Sequence, residues 1–507
     1  MSDTTKMPHA QEPVTIRSFT ADIRKAMHCY LCRNIPDMYV QQLYTGCLSE
    51  AAYFIESNGE AAVIDPLRDI EAYLQLAEER KASIKYIFET HFHADFVSGH
   101  LDLAQATGAT IVYGPGTEAG FKFHLATDGE QFKIGELTLE VLHTPGHTLE
   151  SSCYLLKDEN GKDYAIFTGD TLFVGDVGRP DLAQKGLELT TNDLAGMLYD
   201  SLEKKIKPLS DAVIVYPAHG AGSSCGKNLG PNSYSSIGDE KLGNYALQPQ
   251  TKDEFITAVT EGLAAPPQYF PVNARINKEG YESIDALLEK ALQPLTVEAF
   301  KAFMQNDEVI LLDTRRSEIF ARGFIPGSIF IGLEGRFAEW AGSLLPFEKN
   351  ILLVTEPGKE KETVVRLARV GFQQFAGYLK GGFEAWQKAK EPVDMIIEVE
   401  ADELAMDLPF DPQLVVVDVR REPEFAEGHV KGAVNMPLSN LTDPGSMADI
   451  DDTDNLYLHC AGGYRSVIAA SLMKRQGIHN LRNITGGWDS IKEETRIPTE
   501  KSVEVLN

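Results

Sequence analysis

The chain has no uninterrupted apolar stretch of about 18 residues, so nothing in it reads as a membrane-spanning helix. Its opening, MSDTTKMPHAQEPVTIRSF, lacks the hydrophobic core of a secretory signal. Cysteine is scarce: six in 507 residues, at 29, 32, 47, 153, 225 and 460, too few for a disulfide scaffold. Each cysteine must then be buried filler or a reactive thiol, and the expected location is cytoplasmic. Basic residues are also in deficit, 47 Lys and Arg against 75 Asp and Glu, for a formal charge of −28. That field argues against nucleic acid and against an anionic membrane surface as partners.

What is present is 43% hydrophobic and 24% charged, which fits globular domains with full cores. The length holds about three of them. Residues 38–285 alternate strand-like runs such as AAYFIES, AAVIDP and IKYIFET with helical stretches such as DIEAYLQLAEERKA. This is an α/β pattern in which histidines and aspartates recur just after the strands. Residues 1–37 carry little pattern and are expected to form an N-terminal arm. Beyond residue 285 the texture changes. LLDTRRSEIFARGFIPGSI carries Asp313, and VVDVRREPEFAEGHVKGAV carries Asp418, 105 positions later. The same offset relates Gly381 of GGF to Gly486 of GGW, so the remainder is a tandem pair of domains, 291–393 and 398–507. Each copy reads as a strand, an excursion, a second strand (ILLVT or LYLHC), a tight loop and a helix: a small doubly wound α/β unit. NKEGYESID and KEPVDM are the expected connectors.

Four strand-end segments of the first domain offer metal ligands: THFHAD with His91, His93 and Asp95, HTPGHT with His147, FTGDT with Asp170, and YPAHG with His219. A lone loop histidine or Gly-Asp turn is usually structural, but four such segments in this order point to a metal centre. The combination resembles the metallo-β-lactamase superfamily, which implies a four-layer αββα sandwich with metal at one edge of its sheets. In hydrolytic members, such as glyoxalase II-like thioesterases, the first motif continues with a histidine that helps bind a second metal. Here the residue after Asp95 is Phe96, and a phenyl ring ligates nothing. The pattern is most similar to the persulfide dioxygenase branch, which implies one Fe(II) per chain held by His91, His147 and Asp170. Two histidines and one carboxylate on one face of a metal leave positions for both substrate and dioxygen. Zinc hydrolysis needs only one open position.

His93, Asp95 and His219 then fall to a surrounding shell that orients the ligands, with direct ligation as the alternative. Arg179 and Asp181 in GDVGRPDL either orient substrate or form a structural ion pair. Cys225, in the glycine-rich HGAGSSCGKNLG after His219, either relays sulfur or packs. Cys47 and Cys153 lie in apolar strand contexts and read as core, while Cys29 and Cys32 form a single CxxC, weak grounds for zinc or redox chemistry.

LYLHCAGGYRS puts Cys460 at a strand end, before Ala461, Gly462, Gly463, Tyr464 and Arg465 and a helix expected to start near Ser466. Inward-pointing backbone N–H groups and a helix N-terminus make a cysteine there nucleophilic. The segment resembles the active loop of rhodanese sulfurtransferases, supported by DVRREPEFAEGHVKGAVNMP before it and ITGGWDSI after it. In the first copy Thr355 stands where Cys460 falls in the second, and that domain holds no cysteine. It resembles an inactive rhodanese-like domain, a spacer or docking platform.

Order and content together resemble persulfide dioxygenase–rhodanese fusions. That resemblance implies oxidation of a low-molecular-weight thiol persulfide, such as glutathione persulfide, with O2 to sulfite. Cys460 would then transfer sulfane sulfur to give thiosulfate, in sulfide detoxification. The alternatives are a zinc-dependent glyoxalase II-like thioester hydrolase fused to a sulfurtransferase, and a non-oxidising sulfur carrier. The expected partners are these small molecules, and assembly into a homo-oligomer stays open.

Overall fold

The computed structural model describes residues 38–182, 189–448, 450, 451 and 453–502. The expected N-terminal arm, with Cys29 and Cys32, lies outside them. The first unit is built from two six-stranded sheets. One runs in chain order through β1 (Tyr39–Thr45), β2 (Glu50–Ser57), β3 (Glu60–Ile64), β4 (Ser83–Glu89), β5 (Thr110–Tyr113) and β6 (His124–Leu125). The other holds β7 (Gln131–Ile134), β8 (Leu137–His143), β9 (Ser152–Lys157), β10 (Asp163–Gly169), β11 (Ile214–Pro217) and β12 (Ser235–Ser236).

Side chains alternate along each strand, and β2 shows what this does. Tyr53 and Ile55 point between the sheets, where they meet Phe132, Leu139 and Phe167, while Ala52 and Phe54 point the other way. That outer face is covered by the helices Glu71–Arg80 and His100–Thr107, through Tyr73 and Leu103. The outer face of the second sheet is covered by Thr191–Ser201 and Lys252–Thr260, through Leu198 and Phe255. Each of these fully buried large side chains contributes about 1.5–3 kcal/mol. The outcome is the expected αββα sandwich, with the C-terminal ends of β4 and β10 at one edge.

The third and fourth sheets are parallel and repeat one order. The third is β13 (Pro294–Leu295), β17 (Phe375–Leu379), β16 (Asn350–Val354), β14 (Val309–Asp313) and β15 (Ile329–Phe330). The fourth is β18 (Ile397–Val399), β23 (Leu481–Ile484), β22 (Asn455–His459), β19 (Leu414–Asp418) and β21 (Val434–Asn435). β20 (His429–Val430) pairs separately with β24 (Thr499–Glu500). The recurring aspartates explain the 105-residue offset in physical terms. Asp313 ends β14 and pairs in two-pronged fashion with Arg315, whose guanidinium also donates to the carbonyl of Gly323. Asp418 ends β19 and does the same with Arg420 and Gly428. A buried carboxylate needs such a partner, so the pair and the glycine recur together.

Both expected connectors are held by specific contacts. NKEGYESID is not a slack connector: its first residues close the helix Phe270–Glu279, and Asn277 is buried. KEPVDM is likewise tied down, since Asp394 and Phe324 exchange both backbone hydrogen bonds. Cys47 also differs from its strand reading, because it lies half-buried in the turn between β1 and β2, whereas Cys153 is fully buried in β9. The units are packed together. Arg369 pairs with Asp69 at 2.6 and 2.7 Å, its carbonyl accepts from Val97 N–H at 2.7 Å, and Phe330 N–H donates to Ser471 Oγ at 3.0 Å. Among the described residues no helix is long and apolar enough to cross a membrane.

Candidate active sites

Strand ends deliver the candidate metal-binding side chains. Asp65, just after β3 with φ +49°, accepts from Thr90 N–H at 2.8 Å and from Thr90 Oγ1 at 2.9 Å, fixing the turn that leaves β4. Thr90 Oγ1 in turn lies 3.0 Å from His91 Nδ1. His147 Nδ1 donates to the Arg179 carbonyl at 2.9 Å, and His219 Nδ1 lies 3.2 Å from the Ser49 carbonyl. Each ring thus engages Nδ1 and turns Nε2 towards Asp170, at 3.8 Å for His91 and 3.4 Å for both His147 and His219. Gly169 before this aspartate admits no side chain, since a Cβ there would lie 2.5 Å from Thr90 Oγ1.

One ligand atom each from His91, His147 and Asp170 lies within 4.8 Å of the others. All three residues are buried, and both Asp170 oxygens lack a hydrogen-bond donor. Burial and the neighbouring His93, His147 and His219 hold His91 well below the ordinary imidazole range, so it presents a neutral lone pair. Orphaned carboxylate oxygens facing imidazole nitrogens are the donor set a divalent cation requires.

His93 faces two ways: one of its ring nitrogens lies within 4.8 Å of ligand atoms of Asp95 and His219. Its Nε2 lies 3.0 Å from Asp65 Oδ1 and 3.5 Å from Glu89 Oε2. Burial opposes its charge, yet Asp65 and Glu89 push it up to about 10. Asp95 and His219 face the same space as Asp170 rather than the backs of His91 and His147: Asp95 Oδ2 is 3.3 Å from His219 Nε2, and neither Asp95 oxygen has a hydrogen-bond partner. Cys225 is buried, with its sulfur inside the same 4.8 Å grouping as Asp170 and His219. Burial, then Asp95 and Asp170, push its thiol well up. Arg179 is fully committed, to Asp181 at 2.6 and 2.7 Å and to the carbonyls of Ala264 and Ser224, so it braces the loop leading to Cys225.

Sequence reasoning missed three supports. Asp65 and Glu89 were legible only as strand-end acids. Asn277 gave no signal at all, yet it donates to the carbonyls of His93 and Phe96 at 2.8 Å each and accepts from Ser98 N–H at 2.9 Å.

In the fourth sheet Cys460 follows β22, and the helix Tyr464–Arg475 starts two residues earlier than expected. Gly463, at φ +96°, turns its N–H onto Cys460 Sγ at 3.1 Å, and Ser466 Oγ lies 3.6 Å from the same sulfur. The GGW motif braces this loop from behind: Trp488 N–H donates to the Cys460 carbonyl at 2.7 Å, and a Cβ on Gly487 would lie 2.4 Å from that oxygen. Arg465 makes a two-pronged pair with Glu424 at 2.7 and 2.8 Å. Thr355, after β16, holds the matching place in the first copy, and Phe383 there follows a glycine pair as Trp488 does here. Ala461, Gly462 and Tyr464 complete the loop, and Gly462 and Tyr464 line one cavity with Cys460.

Residues 45–219 match the Metallo-beta-lactamase superfamily, and residues 296–389 and 400–494 match the Rhodanese-like domain. A crystal structure of a metallo-beta-lactamase from Staphylococcus aureus subsp. aureus COL is 33% identical, covers 68% of this chain and 98% of its own, and has a TM-score of 0.59. The hydroxyacylglutathione hydrolase GloC of Haemophilus influenzae is 30% identical over 36% of this chain and 85% of its own length. A probable hydroxyacylglutathione hydrolase of Schizosaccharomyces pombe is 28% identical over 35% of this chain, which spans 66% of that relative's length.

Proposed function

The chain belongs to the metallo-beta-lactamase superfamily through its first unit, followed by two rhodanese-like domains, and on that basis we propose that it is a persulfide dioxygenase coupled to a sulfurtransferase. Its substrate is a low-molecular-weight thiol persulfide such as glutathione persulfide. Persulfide, O2 and water give thiol and sulfite in the first unit. Cys460 accepts sulfane sulfur and passes it to sulfite, which leaves as thiosulfate. One observation carries the choice of chemistry: Phe96, completely buried, occupies the position after Asp95, where it packs on His93 and offers no ligand atom, while His91, His147 and Asp170 form a compact buried ligand set.

These three residues would hold a single ferrous ion, which when bound supplies adjacent open positions and the electrons that activate dioxygen. The protein's own part is orientation. Thr90 and the Arg179 carbonyl fix the rings of His91 and His147 from behind, the Ser49 carbonyl does the same for the neighbouring His219, and Asp65 fixes Thr90. Cys460 attacks, Gly463 N–H supports its sulfur, and Arg465 brings positive charge to the loop for an oxyanion such as sulfite. Anaerobic purification followed by metal analysis tests the reading. About one iron per chain is expected, and two tightly bound zinc ions without iron-dependent activity would contradict it.

A second reading is hydrolysis of a glutathione thioester, as the names of the curated relatives suggest. Its supporting observation is that His93, Asp95 and His219 form a second buried ligand set and Asp170, His219 and Cys225 another, donors enough for a second cation. Thioester cleavage by zinc-loaded protein, without oxygen uptake on a persulfide, would favour it.

A further inference from the structure

Between the second and third units lies a cavity of about 450 Å³ with Cys460 and Arg465 on one side and Arg316, Leu333, Arg336 and Trp340, all from the first rhodanese-like copy, on the other. The facing segment, GLEGRFAEW (332–340), is unlike its counterpart 105 positions on, PLSNLTDPG. It is also held in place. Tyr464 of the catalytic loop donates its hydroxyl to the Gly332 carbonyl at 3.0 Å, and Arg366 clasps the carbonyls of Leu333 and Gly335. Arg336 reaches further still, donating at 3.1 Å to the carbonyl of Gly222 in the loop that carries Cys225. One side chain therefore touches both the cavity of Cys460 and the loop that closes the metal cluster.

We propose that the first rhodanese-like copy is the specificity wall of the Cys460 site, selecting an organic, zwitterionic thiol persulfide as sulfur donor rather than an inorganic one. The proposal rests on the function given to Cys460 above and adds the residues that choose its donor. Size is the first argument. A cavity of this volume lies in the range of organic-ligand pockets, about 300–1,000 Å³, and thiosulfate would leave most of it to water. Charge is the second. Arg316, Arg336 and Arg465 line the cavity together with Glu318 and Glu334, so both signs face the ligand. A small dianion can use only the arginines, whereas a peptide thiol brings carboxylates for the arginines and an ammonium for the glutamates. Arg316 is free to respond: its contacts to Glu356 and Glu318 are loose, at 3.3 and 3.4 Å, and its side chain is half exposed. Leu333 and Trp340 supply apolar surface for the carbon skeleton.

The transfer itself balances without a further reactant. The Cys460 thiolate attacks the outer sulfur of R–S–SH, a new S–S bond forms at Cys460, the old one breaks, and R–S⁻ leaves with the electron pair. The proton stays on the transferred sulfur.

The test loads the full chain with glutathione persulfide or with thiosulfate and follows persulfide on the Cys460 peptide by mass spectrometry, a readout that needs no metal. In an Arg316→Ala/Arg336→Ala variant the half-saturating concentration of glutathione persulfide should rise relative to that of thiosulfate by about tenfold, and Arg316→Lys/Arg336→Lys should recover most of the ratio. An unmoved ratio, or equal loss with both donors, would overturn the specificity wall while leaving Cys460 in its role. No persulfide on Cys460 of the unaltered chain from either donor would overturn the reading of Cys460 and this inference with it.

Discussion

The ring of Phe96 lies 4.3 Å from that of His93, tilted by 32°, and Phe96 is wholly shielded from solvent. The phenyl ring stands at the position of the motif where a further imidazole would come, and it packs against an imidazole that faces Asp65 and Glu89 as well as Asp95 and His219.

Replacing Phe96 by histidine should therefore raise second-metal occupancy, because Asp95 and His219 already face the site. It should not by itself create an efficient hydrolase. The imidazole would sit in an apolar core, at a stability cost of about 1–3 kcal/mol without metal. Metal analysis at saturating zinc checks this, and an unchanged ratio would show that Phe96 does not set nuclearity.

His147→Ala should abolish oxygen consumption on a persulfide while sulfur transfer at Cys460 survives. His147 belongs to the first sandwich, whereas Cys460 sits on the fourth sheet with its own supporting loop. Parallel assays of oxygen uptake and thiosulfate-dependent transfer decide the matter. Loss of both in a folded variant would mean that the two centres act as one.

Cys460→Ser should leave iron content and initial oxygen uptake nearly unchanged and shift the product from thiosulfate towards free sulfite, since a serine hydroxyl forms no persulfide. The shift should be largest at low enzyme concentration. Arg465→Ala should act in the same direction less completely, because it removes charge and spares the nucleophile. Quantifying both products by thiol-trapping chromatography tests this. Wild-type proportions in the serine variant would move the transfer chemistry elsewhere, with Cys225 the next residue to examine.

The Arg465–Glu424 pair carries a pH signature. Arg465 hydrogen bonds hold Glu424 down at about 2, against an ordinary value of 4.5. A depressed carboxylate stabilises the fold fully above its unfolded value and loses that contribution as pH falls towards its folded value. The difference in Tm between the unaltered chain and Glu424→Gln should be constant above pH 5 and close as pH falls from about 4.5 towards 2. A gap independent of pH in that window would show that the pair contributes no linked stability.

The sequence announces those parts of this architecture whose physics is local. A carboxylate ending a parallel strand needs its arginine two residues on and a glycine carbonyl beyond, so Asp313 and Asp418 mark the two copies 105 residues apart. His91, His147 and Asp170 are visible because each follows the end of a strand within a few residues. What escaped reading depends on distance along the chain. Asn277 secures the Phe96 carbonyl from 181 residues away, and no local pattern marks a buried asparagine as a clamp. The inward aim of Asp95 and His219 and the reach of Arg336 to Gly222 likewise follow from how separate segments pack. The same holds for NKEGYESID, whose polar composition resembles a linker although its helix closes the first unit.

Oxygen uptake on a persulfide tests the central claim most directly. With iron-loaded Cys460→Ser protein and limiting glutathione persulfide, an oxygen electrode should record about one O2 consumed per persulfide, matched by sulfite in the same amount, with His147→Ala silent. Persulfide turnover without oxygen uptake, or thioester cleavage by a zinc-loaded chain that leaves oxygen untouched, would contradict it.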